Sequence, residues 1–215
     1  MVARRADALQ ALAREASNIV PLPFDLADTE GWVQRLRLLD EEVGGFDLIV
    51  ANAGASPAHN EVPYAWETLR APLHVNFCGA AATLTAVLPQ MVARKRGHIV
   101  GICSAASFGA LPKSEAYVSP KAGLSALLAC LRIDMLGTGV AVTAVYPGFV
   151  GTPHVASSPH PTPQLITVER AGELLARRLP SRPARIDFPQ PFVFFARMFG
   201  ALPDWVRAPL LRLAR

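Results

Sequence analysis

The scarcity of certain residues narrows the function of this 215-residue chain before any motif is read. Only three cysteines occur, Cys78, Cys103 and Cys130. They are odd in number, sit in apolar stretches and form no Cys-x-x-Cys pair, which argues against a disulfide framework and a zinc site. Buried free thiols are expected, and with them a reducing, cytoplasmic setting. The five histidines are scattered without metal-ligand spacing. His154 and His160 fall in a proline-rich loop and read as exposed polar positions. The first residues hold Arg4 and Arg5 among helix formers, with no continuous apolar segment leading to a small-residue cleavage site, so no secretory signal is visible. No repeat or low-complexity segment interrupts the chain.

What is present fits a compact domain: 51% apolar residues, 18% charged, and a length suited to one folding unit. Helix and strand patterns alternate, which predicts an α/β fold with a parallel sheet covered on both faces. Asp7 opens an amphipathic helix with Leu9, Leu12, Ala13 and Ala16 on one side, and NIVPLPF reads as a strand. Trp32, Leu36 and Leu39 mark the next helix. DLIVA, Asp47 to Ala51, is a short apolar strand, followed by a long helix through Phe77 to Met91, the strand HIVGI, a helix carrying Tyr117, and the strand VAVTAV. Asn52, Ser104 and Pro147 each follow a strand, at the sheet edge where ligands bind in such folds.

The chemistry is carried by Ser104, thirteen residues ahead of Tyr117-x-x-x-Lys121. A tyrosine is a poor proton donor near neutrality, because its ordinary pKa is about 10. A nearby ammonium favours the phenolate and brings it into working range. Four residues on a helix make about one turn, so Tyr117 and Lys121 share a face and Ser104 arrives from a strand end. Three polar groups then meet at one carbonyl. Ser107 and Ser114 also lie in this interval, and only spacing selects Ser104. Pro120 predicts the first turn of its helix, where the missing N–H has no partner to lose.

From Met1 to about Thr152 the chain resembles the short-chain dehydrogenase/reductase family. The resemblance rests on VARR at the start, FDLAD from Phe24, ANAG from Ala51, HVNFCG around Asn76, the Ser/Tyr/Lys set, and YPGFVGTP from Tyr146, in family order. Two positions depart from the family pattern: Ala51 replaces the more common first asparagine, and Cys103 a frequent serine. The resemblance implies a Rossmann-like doubly wound parallel sheet, and an oxidoreductase moving a hydride between nicotinamide and a carbonyl or alcohol. It implies that Tyr117 exchanges the proton, Ser104 orients the substrate oxygen, Lys121 lowers the tyrosine pKa and binds the nicotinamide ribose, and Asn76 holds water linking Lys121 to solvent. Asn76 also reads as a helix kink or cap, and Asn52 and Gly54 as a strand-ending turn. Asn52, Ala53 and Gly54 would line the cofactor cleft. Asp25 resembles the aspartate that contacts adenine, with Leu26 beside it. Thr152, after Pro147, Gly148 and Val150, resembles the threonine that holds the carboxamide. Family members are often homo-oligomers.

The family's first strand, Gly-rich turn and first helix have no counterpart here, so the fold is expected to be N-terminally incomplete. VARR matches the end of the family's second strand, and the absent strand would lie at the centre of a 3-2-1-4-5-6 sheet. DLIVA is then expected to show an unpaired apolar edge. Either the true start lies upstream of Met1 or the gene is truncated. In the second case the alternative to an enzyme is an inactive, short-chain-dehydrogenase-like protein acting through binding or interfacial association.

The second strand of the family ends at the adenosine ribose. A carboxylate there would repel a 2'-phosphate, whereas Ala3 is followed by Arg4 and Arg5, which favours NADP over NAD. The segments expected around the substrate, Phe108 to Pro112 and Val155 to Ile166, are mainly apolar, proline-rich and free of arginine, which points to an uncharged, lipophilic ketone or aldehyde. Residues 1–181 form the expected catalytic domain. Residues 182–215 form an apolar basic tail, part of the same domain or a lid or interface segment. The tail holds six arginines against Asp187 and Asp204 alone, which accounts for the whole net charge of +4. Those arginines interleave with bulky apolar residues and form no recognisable module, which excludes nucleic acid. Arg197 and Pro203 interrupt the tail's apolar run well short of the roughly 20 residues that span a bilayer. Peripheral membrane contact, a substrate lid and a subunit contact remain the readings of this tail.

Overall fold

The computed structural model describes residues 1–55, 64–152, 155 and 162–213. In chain order they form β1 (Val2–Ala3), α1 (Ala6–Glu15), β2 (Leu22–Pro23), α2 (Thr29–Glu42) and β3 (Ile49–Ala51). A long helical run follows: α3 (Trp66–Leu73), a π-helical stretch (His74–Gly79), α4 (Ala80–Thr85) and α5 (Leu88–Ala93). Then come β4 (Gly97–Ile102), a 3-10 turn (Ala105–Phe108), α6 (Glu115–Asp134), β5 (Val140–Pro147), α7 (Val168–Arg178), β6 (Arg185–Phe188), α8 (Gln190–Gly200) and α9 (Asp204–Leu213).

The strands are parallel and fall into two sheets, β1-β2 and β3-β4-β5-β6. Among the described residues β1 and β3 are not paired with each other, and the free side of β3 leaves Val50 41% exposed. The expected apolar edge at DLIVA is therefore present. Residues 182–215 join the sheet through β6, which pairs with β5 from Ala144↔Arg185 to Pro147↔Phe188.

Two apolar layers cover the larger sheet. On one face Ile99, Val142 and Ala144 pack with Leu84, Met91, Leu124 and Leu128 of the helices. On the other, Val100, Val145 and Ile186 lie beneath Ala171 of α7. Alternate residues thus bury on opposite faces, which explains why the strands read as continuous apolar runs. Gly101 lets α6 approach the sheet, since a Cβ there would sit 2.5 Å from Leu128 Cδ1.

Several elements differ from their sequence-based reading for local reasons. β2 covers only Leu22–Pro23 of the NIVPLPF segment, because Pro21 and Pro23 have no N–H for a ladder. The helix expected from Phe77 to Met91 starts at Trp66 and is broken, with Pro72 removing a donor before the π-helical stretch and Pro89 at the second position of α5 restarting the helix. By length and composition this run could cross a membrane, yet half of its most apolar window is buried, as in a core helix. Pro120 lies in the second turn of α6, which begins at Glu115, so it does not mark the helix start.

Polar contacts fix the helices at depth. Asp28 caps α2 through Gly31 N at 2.9 Å, and Trp32 Nε1 donates to Thr83 Oγ1 at 2.9 Å. Arg94 donates to both carboxylate oxygens of Asp40, at 2.9 and 3.1 Å, joining the ends of α2 and α5. Between the sheet and the segment entering β6, His98 Nε2 lies 2.8 Å from Thr143 Oγ1, whose own proton goes to Pro183 O. The Thr143 oxygen must therefore accept from His98, which assigns the proton to Nε2.

Burial, and secondarily the charge of Arg182, holds the His98 pKa below its ordinary 6.5. The unfolded chain binds this proton more readily than the folded one. The stabilisation is thus complete above about pH 6.5 and is lost as pH falls from there toward the folded pKa. Thermal melts across that range should show stability dropping in the native chain and a flatter profile in His98→Gln. Parallel profiles would remove His98 from the acid response.

Candidate active site

β4 ends at Ile102, and Ser104 follows in extended backbone as the N-cap of the 3-10 turn. Its Oγ accepts from Ala106 N at 3.2 Å, and its own N–H donates to Ser107 Oγ at 3.2 Å. Ser107 Oγ in turn donates to the Lys121 carbonyl at 3.1 Å. A serine that the spacing argument set aside therefore ties the Ser104 turn to α6. The Ser-x-x-Ser pattern, a capping box in form, was the available signal.

The Ser104 hydroxyl lies close enough to the Tyr117 phenol to favour its ionised form. Lys121, one turn further on, is only 4% exposed, and its Nζ donates to the Ile102 carbonyl at 2.7 Å. Asn76, in the π-helical stretch, is fully buried. Its Nδ2 donates to Ala55 O at 2.7 Å and its Oδ1 accepts from Ala55 N at 2.6 Å, so the main chain of one residue satisfies both ends of the amide. Gly54 completes the cluster: a Cβ there would sit 3.6 Å from Asn76 Oδ1 and 3.9 Å from Lys121 Nζ. Asn76 thus sits in the π-helical stretch, and the contact its side chain makes is a clamp on the loop after β3.

Electrostatics differ from the sequence-based expectation. Burial pushes the Tyr117 pKa above its ordinary value, and the Ser104 hydroxyl pulls against it. Lys121 does not figure in that downward pull. Its own pKa is lowered by burial, and its ammonium faces the Ile102 carbonyl. In this state the phenol is a held proton donor and not a phenolate.

The other sequence-selected residues lie on the same edge. Arg4 and Arg5 follow β1 and are exposed, with Arg5 at the N-cap of α1. Asp25 and Leu26 follow β2. Asp25 Oδ1 accepts from Ala27 N at 3.0 Å, and Leu26 packs beside Gly79. Asn52, Ala53 and Gly54 are exposed after β3. Pro147 closes β5 and Gly148 N donates to Phe188 O at 2.7 Å. Val150 bridges to Ile166, and Thr152 Oγ1 accepts from Val155 N at 3.4 Å. His154, His160 and half of the segment from Val155 to Ile166 lie outside the described residues. Open backbone at Gly54 beside Lys121, and arginines at the β1 end, fit the two ends of a dinucleotide. The described residues supply no Gly-rich turn for the pyrophosphate between them.

The family model described as short chain dehydrogenase matches residues 1–162. An uncharacterized oxidoreductase of Myxococcus xanthus is 42% identical over 205 residues, covering 94% of this chain and 81% of the relative. A short-chain dehydrogenase from Streptomyces avermitilis superimposes with a TM-score of 0.74 at 26% identity, over 98% of this chain and 84% of that one. A metagenomic short-chain oxidoreductase, solved in complex with NADP, superimposes with a TM-score of 0.63 at 26% identity, over 73% of this chain and 71% of its own. The protein belongs to the short-chain dehydrogenase family of oxidoreductases, with the Rossmann-like fold of its relatives.

Cysteine exposure corrects one expectation. Cys103 is buried, but Cys78 and Cys130 are exposed on the outward faces of the π-helical stretch and α6. Burial pushes the Cys103 thiol up to about 12, against the opposing charges of Lys121, Arg185 and Arg132, so it is inert near neutrality. Native alkylation followed by intact-mass measurement should label Cys78 and Cys130 and spare Cys103 until the chain is denatured. Rapid native labelling of Cys103 would contradict this arrangement.

Proposed function

We propose that this chain catalyses NADP-dependent reduction of an uncharged, lipophilic ketone or aldehyde in the cytoplasm. The observation that carries the reading is the gathering of Ser104, at the carboxyl end of β4, with Tyr117 and buried Lys121 of α6. When bound, NADPH supplies the hydride to the carbonyl carbon. Ser104 and Tyr117 direct two hydroxyls at the carbonyl oxygen, where negative charge develops. Tyr117 gives its proton to that oxygen, and the product leaves as an alcohol. A phenol kept protonated by burial suits the donor role.

Cofactor choice rests on Arg4 and Arg5, exposed beyond β1 with no carboxylate at Ala3, and on the NADP complex of the metagenomic relative. The lipophilic substrate class rests on the mainly apolar segments Phe108 to Pro112 and Val155 to Ile166, whose Leu111 and Leu165 are both exposed. The unpaired edges of β1 and β3 favour the second reading, a binding protein without turnover.

NADPH consumption measured over a panel of apolar ketones and aldehydes separates the two. Tyr117→Phe should lower kcat by about 100-fold or more, the span of general acid catalysis, while leaving NADPH affinity near the native value. Arg4→Ala with Arg5→Ala should weaken NADPH and not NADH binding by about tenfold, as expected for lost charge-assisted bonds. Absence of NADPH binding by the native chain would favour the binding-only reading, and an unchanged kcat in Tyr117→Phe would sink the mechanism.

A further inference from the structure

α8 is apolar on both sides, which a helix lying between a core and water is not. Its inner face is held firmly. Val193 is fully buried, the Phe192 ring lies 5.4 Å from that of Phe149, and a Cβ on Gly200 would collide with the Phe108 carbonyl. Its outer face carries Pro191, Phe194, Phe195 and Met198, the i, i+3, i+4, i+7 positions of one stripe, and Leu202 extends it beyond the helix end. Phe194 is 57% exposed, Phe195 67% and Met198 56%.

α9 continues this surface. Arg207 anchors it inward, with Nη1 donating to Gly200 O at 2.9 Å and the other nitrogen paired with Asp204. Its outward stripe is Trp205, Ala208, Pro209 and Arg212, with Trp205 79% exposed. The exposed charges of the two helices are therefore Arg197, Arg212 and an Asp204 already paired with Arg207.

We propose that α8 and α9 dock this protein on an anionic lipid bilayer. Phe194, Phe195, Met198 and Trp205 enter the boundary between headgroups and acyl chains, and Arg197 and Arg212 meet lipid phosphates. Charge selects this occupant over a second copy. A two-fold contact must be self-complementary, and this patch offers arginines to arginines. Aromatic rings edged by basic side chains match an interface that is apolar below and negatively charged above.

The test is flotation of the full chain with vesicles of zwitterionic lipid alone or with anionic lipid added, at low and high salt, without nucleotide. Its result is thus independent of the reductase reading. Binding is expected on anionic vesicles and should fall with salt. Phe194→Ser with Phe195→Ser should weaken it by about tenfold or more, and Arg197→Ala and Arg212→Ala by about fivefold each. Leu136→Ser, an exposed apolar site on the loop before β5, serves as the unaffected control. In a Trp66→Phe background, vesicles should shift Trp205 emission to the blue. Failure to float, or equal binding by the double serine variant, would overturn the proposal. So would a native dimer that this variant converts to monomer, since a second copy would then cover the face.

Discussion

Parallel pairing of β3, β4, β5 and β6 obliges every strand to end on one edge, and the register decides which residues meet there. Gly97↔Val140 through Ile102↔Val145 aligns β4 with β5 over six pairs. Ser104 therefore leaves the sheet beside Pro147, and α6 returns over the same edge carrying Tyr117 and Lys121. Nothing in Ser104 or Tyr117 alone specifies their meeting. The ladder does, supported by Gly101, where a Cβ would press on Leu128 of α6.

Asn76 imposes the second constraint. A fully buried amide costs stability unless its polar atoms are paired, and here a single residue, Ala55, serves both ends through its main-chain N–H and C=O. That pairing joins the helical run to the loop after β3. The π-helical stretch lets the chain make the contact, with Pro72 having already removed one regular helical bond. π-helical turns often mark functional sites for this reason.

The sequence made the chemistry more legible than the backbone. Ser104, Tyr117, Lys121 and Asn76 were readable because spacing and order are one-dimensional facts, and apolar runs marked β3, β4 and β5. The roles of Ser107, the Ile102 carbonyl and the Ala55 main chain were not readable. A hydrogen bond to a main-chain group depends on where the chain folds, and every residue offers the same carbonyl. The exposure of Cys78 and Cys130 was hidden likewise, since an apolar neighbourhood in sequence does not reveal which side of a helix faces out. Prolines carried a legible signal at Pro21 and Pro23, whereas Pro120 misled because tertiary packing tolerates it one turn deeper than an isolated helix would.

The separation of β1-β2 from the larger sheet raises the question of what holds the two ends of the edge at a fixed spacing. Among the described residues no ladder does, and side chains take its place. The Phe24 ring lies 5.3 Å from that of Trp32, and Trp32 bonds Thr83 of α4. Leu26 fills the space left by Gly79, and His74 Nε2 lies 2.9 Å from Ala27 O. The loop after β2, which carries Asp25, is therefore docked on the π-helical stretch that carries Asn76. Val2, Leu22, Phe24 and Leu26 all join the main apolar cluster, so burial of these side chains substitutes for strand pairing. A cluster of this kind positions by packing and leaves the backbone groups of β1 and β3 free to accept another strand. The two sheets are one body by virtue of α2 and the π-helical stretch, and that linkage, more than the strands, keeps Arg4 and Arg5 in register with Tyr117.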